Sequence, residues 1–212
     1  MATTSDHAIR SLAELRELLG EPGERAVSKE TSELTERAIS FIAHCPFLVI
    51  ATSALDGATD ASPKGGPPGF VRVLDDHRLA MGELPGNGRV DGYRNLLANP
   101  AVGLIFLIPG VGETLRVNGR GFLVTDPAVL DACTLDGRRP ALALGVEVVE
   151  AFIHCAKALR RASLWDPDHW PDTAEMPTIA CMLVRHADIP GDPDGTLTAA
   201  ALEENYATTL WN

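Results

Sequence analysis

The sequence predicts a mainly β protein, folded as an antiparallel barrel with flanking helices. Many short strand-like runs follow one another with brief turns between them, and helical stretches are few. The runs do not alternate with helices as a parallel sheet would require, which favours antiparallel pairing. With 212 residues, of which 45% are hydrophobic, the chain is long enough for a sizeable core. We expect a helical extension over residues 1–30 and the barrel domain over residues 31–212.

Two helices are predicted ahead of the first strand. Ser11 and Glu14 fit a capping box, leucines follow at helical spacing, and Gly20 ends the pattern, which predicts a helix over 11–19. A second apolar stripe at helical spacing predicts a helix over 31–43.

Strand-like runs of β-branched and aromatic residues make up much of the remaining chain. Turns that contain Gly, Asp or Pro separate them. The predicted strands are 47–52, 61–64, 70–74, 78–81, 102–108, 114–125, 142–149 and 178–185. Further helices are predicted over 90–98, 151–162 and 198–210.

The net charge of −11 argues against nucleic acid or an anionic membrane as a partner. A phosphate ligand stays possible, because it needs only a few local cations. No apolar run approaches the roughly 18 residues of a membrane span, and the first ten residues lack a signal-peptide pattern. Cysteines and histidines show no zinc-site spacing, so no metal site is predicted. We expect a soluble, cytoplasmic protein with reduced cysteines.

The turn Asn87-Gly88-Arg89, directly before a predicted helix, is the best candidate for an anion site. A phosphate group needs forked cations and backbone N–H groups, and the start of a helix supplies the latter. Arg89 is therefore a candidate phosphate ligand, although a turn arginine can equally be solvated. Asn87 has two roles at parity, since it can bond the phosphate or only adopt a left-handed turn conformation.

Seven stretches of the chain, taken in their order and spacing, resemble the pyridoxamine 5′-phosphate oxidase-like, FMN-binding split-barrel superfamily. The resemblance is closest to its bacterial branch of probable FMN-dependent flavoproteins. It implies a six-stranded split barrel, a homodimer, and FMN bound in a groove at the dimer interface. The stretches are PFLVIAT (46–52), DASPKG (60–65), GFV (69–71), PGNGRVD (85–91), NP (99–100), ETLRVNG (113–119) and HCAKALRRASLW (154–165).

The resemblance extends the candidate cofactor site to a second segment. A basic residue near this strand reaches the cofactor in the family, which implies that role for Lys64. Ser62 is then placed to donate its hydroxyl to the flavin ring. The alternative roles are an edge-strand lysine that opposes aggregation and a serine that caps a turn.

Two further groups of polar residues are candidate cofactor contacts. Arg116 and Asn118 alternate with apolar neighbours, so they share one strand face that calls for flavin, a partner subunit or water beside it. His154, Lys157 and Arg161 recur at helical spacing. Their common face either covers the flavin or belongs to a solvated amphipathic helix.

The leading functional prediction is an FMN-dependent oxidoreductase that acts on a small organic substrate. No catalytic residue is assigned, because the flavin supplies the redox chemistry. True pyridoxamine phosphate oxidase activity is not expected, since the family's arginine–histidine signature has no match in 202–212. The alternatives are a non-catalytic flavin carrier or sensor, and the same barrel with F420 or haem.

Overall fold

The computed structural model describes residues 8–211 and is built around one antiparallel sheet. Its strands are β1 Phe47–Ser53, β2 Thr59–Gly65, β3 Val71–Asp75, β4 Arg78–Gly82, β5 Ala101–Leu107, β6 Thr114–Val124 and β7 Ala143–His154. They lie in the order β2-β1-β5-β6-β7-β4-β3. The predicted fold class is confirmed, with seven strands in place of the expected six.

The sheet curls so that its two ends approach each other. Strands β2 and β3 are the edges of the sheet. Nevertheless, Lys64 at the end of β2 lies close to Glu83, the residue that follows β4. The distance between Lys64 Nζ and Glu83 Oε2 is 3.1 Å. A twisted antiparallel sheet closes into a barrel in this way, and here the closure leaves a split between β2 and β4.

Alternate residues along the strands point into the barrel, and their side chains form the core. In β1, Leu48, Ile50 and Thr52 are buried and the residues between them are more exposed. Burying a Leu or Ile side chain stabilises a fold by roughly 1.5–3 kcal/mol. The largest fully buried side chains come from strands β1, β4, β5, β6 and β7 and from the helix that precedes β1. They include Ile42, Leu48, Leu79, Leu104, Phe106, Leu115, Val117, Leu144 and Val146.

Helices flank the barrel. The Ser11 hydroxyl accepts from Glu14 N at 3.2 Å, as the capping box predicts, but the helix that follows has no buried residue. The helices are α1 Leu12–Leu19, α2 Glu24–Val27, α3 Glu36–His44, α4 Asp91–Ala98, α5 Pro127–Ala132, α6 Lys157–Arg161, α7 Ile179–Ala187 and α8 Thr196–Thr209. Within residues 8–211, none has the length and apolar character that crossing a membrane requires.

The helix predicted over 31–43 begins later than expected. Thr31 instead forms a β-bridge with Ala151, and its backbone N–H donates to the Ala151 carbonyl at 3.0 Å. Thr35 is the N-cap, because its hydroxyl accepts from Ala38 N at 3.3 Å. The cap residue therefore sets the start of α3.

The helix predicted over 151–162 is wrong in its first part. Strand β7 continues to His154, which pairs with Thr114 at the start of β6. The eleven residues of β6 supply a hydrogen-bonding partner along this whole length, so the ladder overrides the local helical spacing. Only Lys157–Arg161 is helical.

The strand predicted over 178–185 is wrong, because the segment forms helix α7. Thr178 caps this helix by accepting from Cys181 N at 3.1 Å. Ala180 and Val184, four residues apart, are its buried positions. A short apolar run fits the period of a strand as well as that of a helix. The threonine that precedes the run was the signal for a helix.

Strand β6 bends at a bulge between Asn118 and Gly119. A Cβ atom at Gly119 would overlap the backbone carbonyl of Glu147 on β7. The close approach of two backbones therefore requires glycine here.

We expect Gly119→Ala to lower the free energy of unfolding by at least about 2 kcal/mol, because backbone must move to admit the methyl group. Urea unfolding followed by circular dichroism measures this. Gly23→Ala is the control, since no atom of another part of residues 8–211 lies within 4 Å of its Cβ position, and it should lower the free energy of unfolding by under about 1 kcal/mol. Equal effects of the two substitutions would contradict the account of the bulge.

Candidate functional site

A cavity of about 460 Å³ lies in the split of the barrel, and we call it the split cavity. The buried side chains Ile50, Phe70 and Met81 form an apolar floor. Its walls are the inner side of β2, the loop after β4 and the first turn of α4. The wall residues include Asp60, Ser62, Lys64, Glu83, Asn87, Arg89, Asp91, Gly92 and Tyr93.

The structure brings four of the eight predicted site residues to this cavity: Ser62, Lys64, Asn87 and Arg89. Ser62 pairs with Ile50 across β1 and β2, so it stands on the core-facing side of the sheet. Lys64 follows at period two and shares that side. The turn and β2 are far apart in the sequence, and the curl of the sheet places them together.

The turn before α4 has the geometry of an anion site. Asn87 Oδ1 accepts from Arg89 N at 3.0 Å, and Gly88 between them takes a left-handed φ of +71°. Val90, the N-cap residue, provides no side-chain hydrogen bond to α4. Within the described part of the chain the first-turn N–H groups therefore have no side-chain cap, at a point where Asp91 and Gly92 line the cavity.

Two of the polar groups on the walls are already paired with carboxylates. Ser62 Oγ donates to Asp60 Oδ2 at 2.8 Å. Arg89 donates from Nε to Asp91 Oδ2 at 2.8 Å, and a second guanidinium nitrogen lies 2.7 Å from the same oxygen. An anionic ligand must therefore compete with a resident carboxylate for Arg89.

The third pairing involves three side chains. Lys64 donates to Glu83 Oε2 at 3.1 Å, and the Tyr93 hydroxyl donates to the same oxygen. The Lys64 ammonium also lies 5.2 Å from the centre of the Tyr93 ring. Burial raises the pKa of the Tyr93 hydroxyl, and the hydrogen bond to Glu83 raises this pKa further. Tyr93 is therefore a neutral donor at physiological pH.

Glu83 and Tyr93 are site residues that the sequence reasoning missed. Glu83 follows the buried run Leu79–Met81, and an acidic residue directly after a core strand was the available signal. Tyr93 lies on the first turn of α4, three residues after Val90. Nothing in the sequence showed that these two side chains meet Lys64.

The other predicted strand residues lie on the opposite side of the sheet. Arg116 and Asn118 alternate with the buried Leu115 and Val117, as predicted, and face outward. Asn118 Nδ2 donates to Glu150 Oε1 at 2.6 Å. The Arg116 guanidinium lies 5.1 Å from the ring centre of Phe152, and neither residue lines the split cavity. Their role as cofactor contacts stays a prediction.

His154 and Lys157 do not share the helical face that their spacing predicted. His154 ends β7, whereas Lys157 begins α6 and is exposed. Buried His154 Nδ1 and the Oγ1 of Thr114, its cross-strand neighbour, have no hydrogen-bond partner within residues 8–211. Neither predicted residue lines the split cavity, so their assignment to the cofactor also stays a prediction.

We expect the stability of the wild-type protein to depend on Tyr93 at alkaline pH. The fold favours the neutral hydroxyl, so the contribution is present in full below pH 10, the ordinary tyrosine pKa, and is lost as the pH rises above it. Tyr93→Phe should therefore show a shallower fall in unfolding free energy above pH 10. Urea unfolding over pH 8–11 measures the two slopes, and parallel slopes would contradict burial of this hydroxyl.

Comparison with known proteins gives one family match. The family model described as pyridoxamine 5′-phosphate oxidase matches residues 34–155, from the turn before α3 to the residue after β7. This stretch contains every strand of the sheet and the whole wall of the split cavity. No curated protein matches the chain.

Several solved structures are similar to part of this chain. HupZ of Group A Streptococcus is 18% identical, with 56% of this chain and 92% of that chain covered and a TM-score of 0.46. An FMN-binding protein of Syntrophomonas wolfei is 13% identical, with coverage of 67% and 95% and a TM-score of 0.44. A Clostridium acetobutylicum protein related to general stress protein 26 is 13% identical, with coverage of 56% and 86% and a TM-score of 0.44.

The family model identifies the family of this chain. That model covers more than half of the chain and agrees with the resemblance predicted from the sequence. The protein belongs to the pyridoxamine 5′-phosphate oxidase family.

Proposed function

We propose that the split cavity binds FMN and that the protein is an FMN-dependent oxidoreductase acting on a small organic substrate. The observation that supports this is the meeting of an arginine-bearing turn, a helix start and a lysine around one apolar floor. Flavin binding is common in the family to which the chain belongs. Bound FMN would supply the redox chemistry, and the protein would supply binding, orientation and exclusion of water.

The phosphate end of the cofactor fits the turn before α4. Arg89 offers a forked cation, and the uncapped first turn of α4 offers backbone N–H donors and the positive end of the helix dipole. Asn87 holds the turn by accepting from Arg89 N. For this binding the guanidinium has to exchange Asp91 for the phosphate.

The ring end of the cofactor fits the opposite part of the cavity. Ile50, Phe70 and Met81 provide an apolar surface of the kind that a planar aromatic ring requires. Lys64 and Ser62 stand on the β2 wall beside this surface. Lys64 would place positive charge next to the ring and stabilise its reduced, anionic form.

We also propose that the protein is a homodimer through the outer side of the sheet. Four residues on that side, one from each of four neighbouring strands, form a row. They are Val49, Ile105, Arg116 and Phe152, and each is the cross-strand neighbour of the next. All four are only partly exposed in the single chain. We call them the outer row, and its apolar and cation–π character suits a subunit interface.

The first experiment is an absorption spectrum of the purified protein, followed by a fluorescence titration with FMN. Two visible flavin bands are expected, and reduction by NADH or NADPH with reoxidation by an acceptor would establish turnover. Flavin that no donor reduces would favour a carrier or sensor. A Soret band would indicate haem, and a colourless protein that ignores FMN would refute the proposal. Efficient oxidation of pyridoxamine phosphate would contradict the absence of vitamin B6 oxidase activity.

We expect Arg89→Ala to weaken FMN binding by about 1.5–3 kcal/mol, because a charged hydrogen bond to the phosphate is lost. Riboflavin, which lacks the phosphate, should bind equally to the variant and the wild type. Isothermal titration with both ligands measures this.

Arg94→Ala is the matched control for Arg89. Both side chains are 76% exposed and both lie near Asp91, but only Arg89 lines the cavity. Asp91→Asn should act in the opposite direction, since it frees the guanidinium. FMN affinity unchanged in Arg89→Ala would remove this residue from the site.

We expect Ile105→Glu to convert the dimer to monomers, because it places a carboxylate at the centre of the outer row. Sedimentation velocity measures this. Leu55→Glu is the control, since Leu55 is 80% exposed in the turn after β1 and lies outside the row. A wild-type protein that sediments as a stable monomer at micromolar concentrations would contradict the proposed dimer.

A further inference from the structure

Glu83 presents an unused hydrogen-bond acceptor to the split cavity. Its Oε2 atom accepts from both Lys64 and Tyr93, which fixes the carboxylate in one orientation. Its Oε1 atom accepts no hydrogen bond from residues 8–211. The side chain is 36% exposed, and the residue lines the cavity. A carboxylate held in this way offers one oxygen, at a defined place, to a ligand.

Lys64, which also lines the cavity, has N–H donors that no acceptor among residues 8–211 uses. An ammonium group has three N–H donors, and Lys64 uses one of them for Glu83. The ring of Tyr93 lies against the ammonium and limits where the side chain can go. The wall therefore offers a donor and an acceptor side by side, linked through the same carboxylate.

A ligand that forms hydrogen bonds with both side chains needs a carbonyl and an N–H next to each other along one rigid edge. A cyclic imide has this edge, with an N–H between two carbonyls, and the pyrimidine part of a flavin ring is a cyclic imide. We propose that Glu83 is the specificity-determining residue of the cavity, accepting the imide N–H while Lys64 donates to the adjacent carbonyl. This inference rests on the proposed function and names how the same cavity selects the ring.

The selection has a physical basis. A ligand that covers the carboxylate oxygen without donating a hydrogen bond to it leaves that oxygen unpaired, which costs binding free energy. A ligand without the N–H removes water from Oε1 and returns no hydrogen bond, so its binding is weakened. A methyl group on the imide nitrogen would in addition meet the oxygen directly. FMN and a deazaflavin such as F420 share the imide, whereas haem has none, so Glu83 separates flavin-type rings from haem.

Tyr93 is a positioning residue in this scheme. Its neutral hydroxyl donates to Oε2, and no residue within 8–211 donates to Oε1. Without this donor only Lys64 holds the carboxylate, and Oε2 becomes a second, competing acceptor. Tyr93→Phe should therefore reduce the discrimination that Glu83 provides without abolishing it.

The test compares FMN with N3-methyl-FMN, which lacks the imide hydrogen, by fluorescence titration. The wild type should bind FMN at least about tenfold more tightly than the methylated ligand. Glu83→Ala should bind the two within about twofold of each other. Glu83→Gln keeps a carbonyl acceptor and should restore part of the preference. Glu30→Ala, an exposed carboxylate outside the cavity, should match the wild type.

A second readout follows the ionisation of the imide by absorbance of the bound flavin. A carboxylate that accepts the N–H disfavours loss of that proton, so ionisation should occur at higher pH in the wild type than in Glu83→Gln. A purely structural role of Glu83 would not move this value.

The two proposals fail in different ways. A wild-type protein that binds neither FMN nor riboflavin removes the proposed function itself. A wild-type protein that binds FMN, but binds the methylated ligand equally well, removes only the role of Glu83. The same holds if Glu83→Ala keeps the wild-type preference and the wild-type ionisation of the imide.

Discussion

The contact between Lys64 at the end of β2 and Glu83 after β4 is the interaction on which the site depends. These residues belong to opposite ends of a curled sheet, and their ion pair spans the split that closure leaves. Both side chains are partly exposed, so the pair itself contributes modestly to stability. Its importance is geometric: Tyr93 joins the same carboxylate and thereby ties the first turn of α4 to the split. The phosphate turn before α4 is thus held at a fixed place relative to β2, although the two segments are separated in the chain.

Electrostatic balance is the second constraint on this cavity. Three carboxylates, on Asp60, Glu83 and Asp91, stand against two cations, on Lys64 and Arg89, in a chain whose net charge is −11. The binding free energy of an anionic ligand is therefore only the difference between the contacts that it forms and those that it replaces. Each charged hydrogen bond contributes about 1.5–3 kcal/mol. Among residues 8–211 no side chain caps the N–H groups at the start of α4, so a phosphate can accept from them without first breaking a hydrogen bond. The pairing of every cation also keeps the walls ordered before a ligand enters, which lowers the entropic cost of binding.

The sequence was sufficient where the deciding signal is local. Alternation of Leu115 and Val117 with polar residues placed β6 and its two sides correctly, and the capping box at Ser11 placed α1. The sequence was insufficient where a residue far away in the chain decides the local structure. The pairing of His154 with Thr114 extends β7 through a helix-like stretch, and no local pattern contains that information. Glu83 was missed for the same reason, since its function in the site comes from contacts with residues on β2 and α4. Segment 178–185 differs, because its helix was decided by the local cap Thr178 and a short apolar run hid the signal.

The predicted cofactor residues divide into two sets on opposite sides of one sheet, and this division constrains their roles. Ser62 and Lys64 stand on the inner side of β2, whereas Arg116 and Asn118 stand on the outer side of β6. A sheet separates its two sides by the thickness of the backbone, so one small ligand within a single chain cannot contact both sets. The outer set can touch a flavin only if a second copy of the chain brings its own split cavity to this surface. The proposed cofactor contacts of the outer residues therefore depend on the proposed dimer. Loss of the dimer should remove their influence on FMN binding and leave that of Arg89 and Lys64 intact.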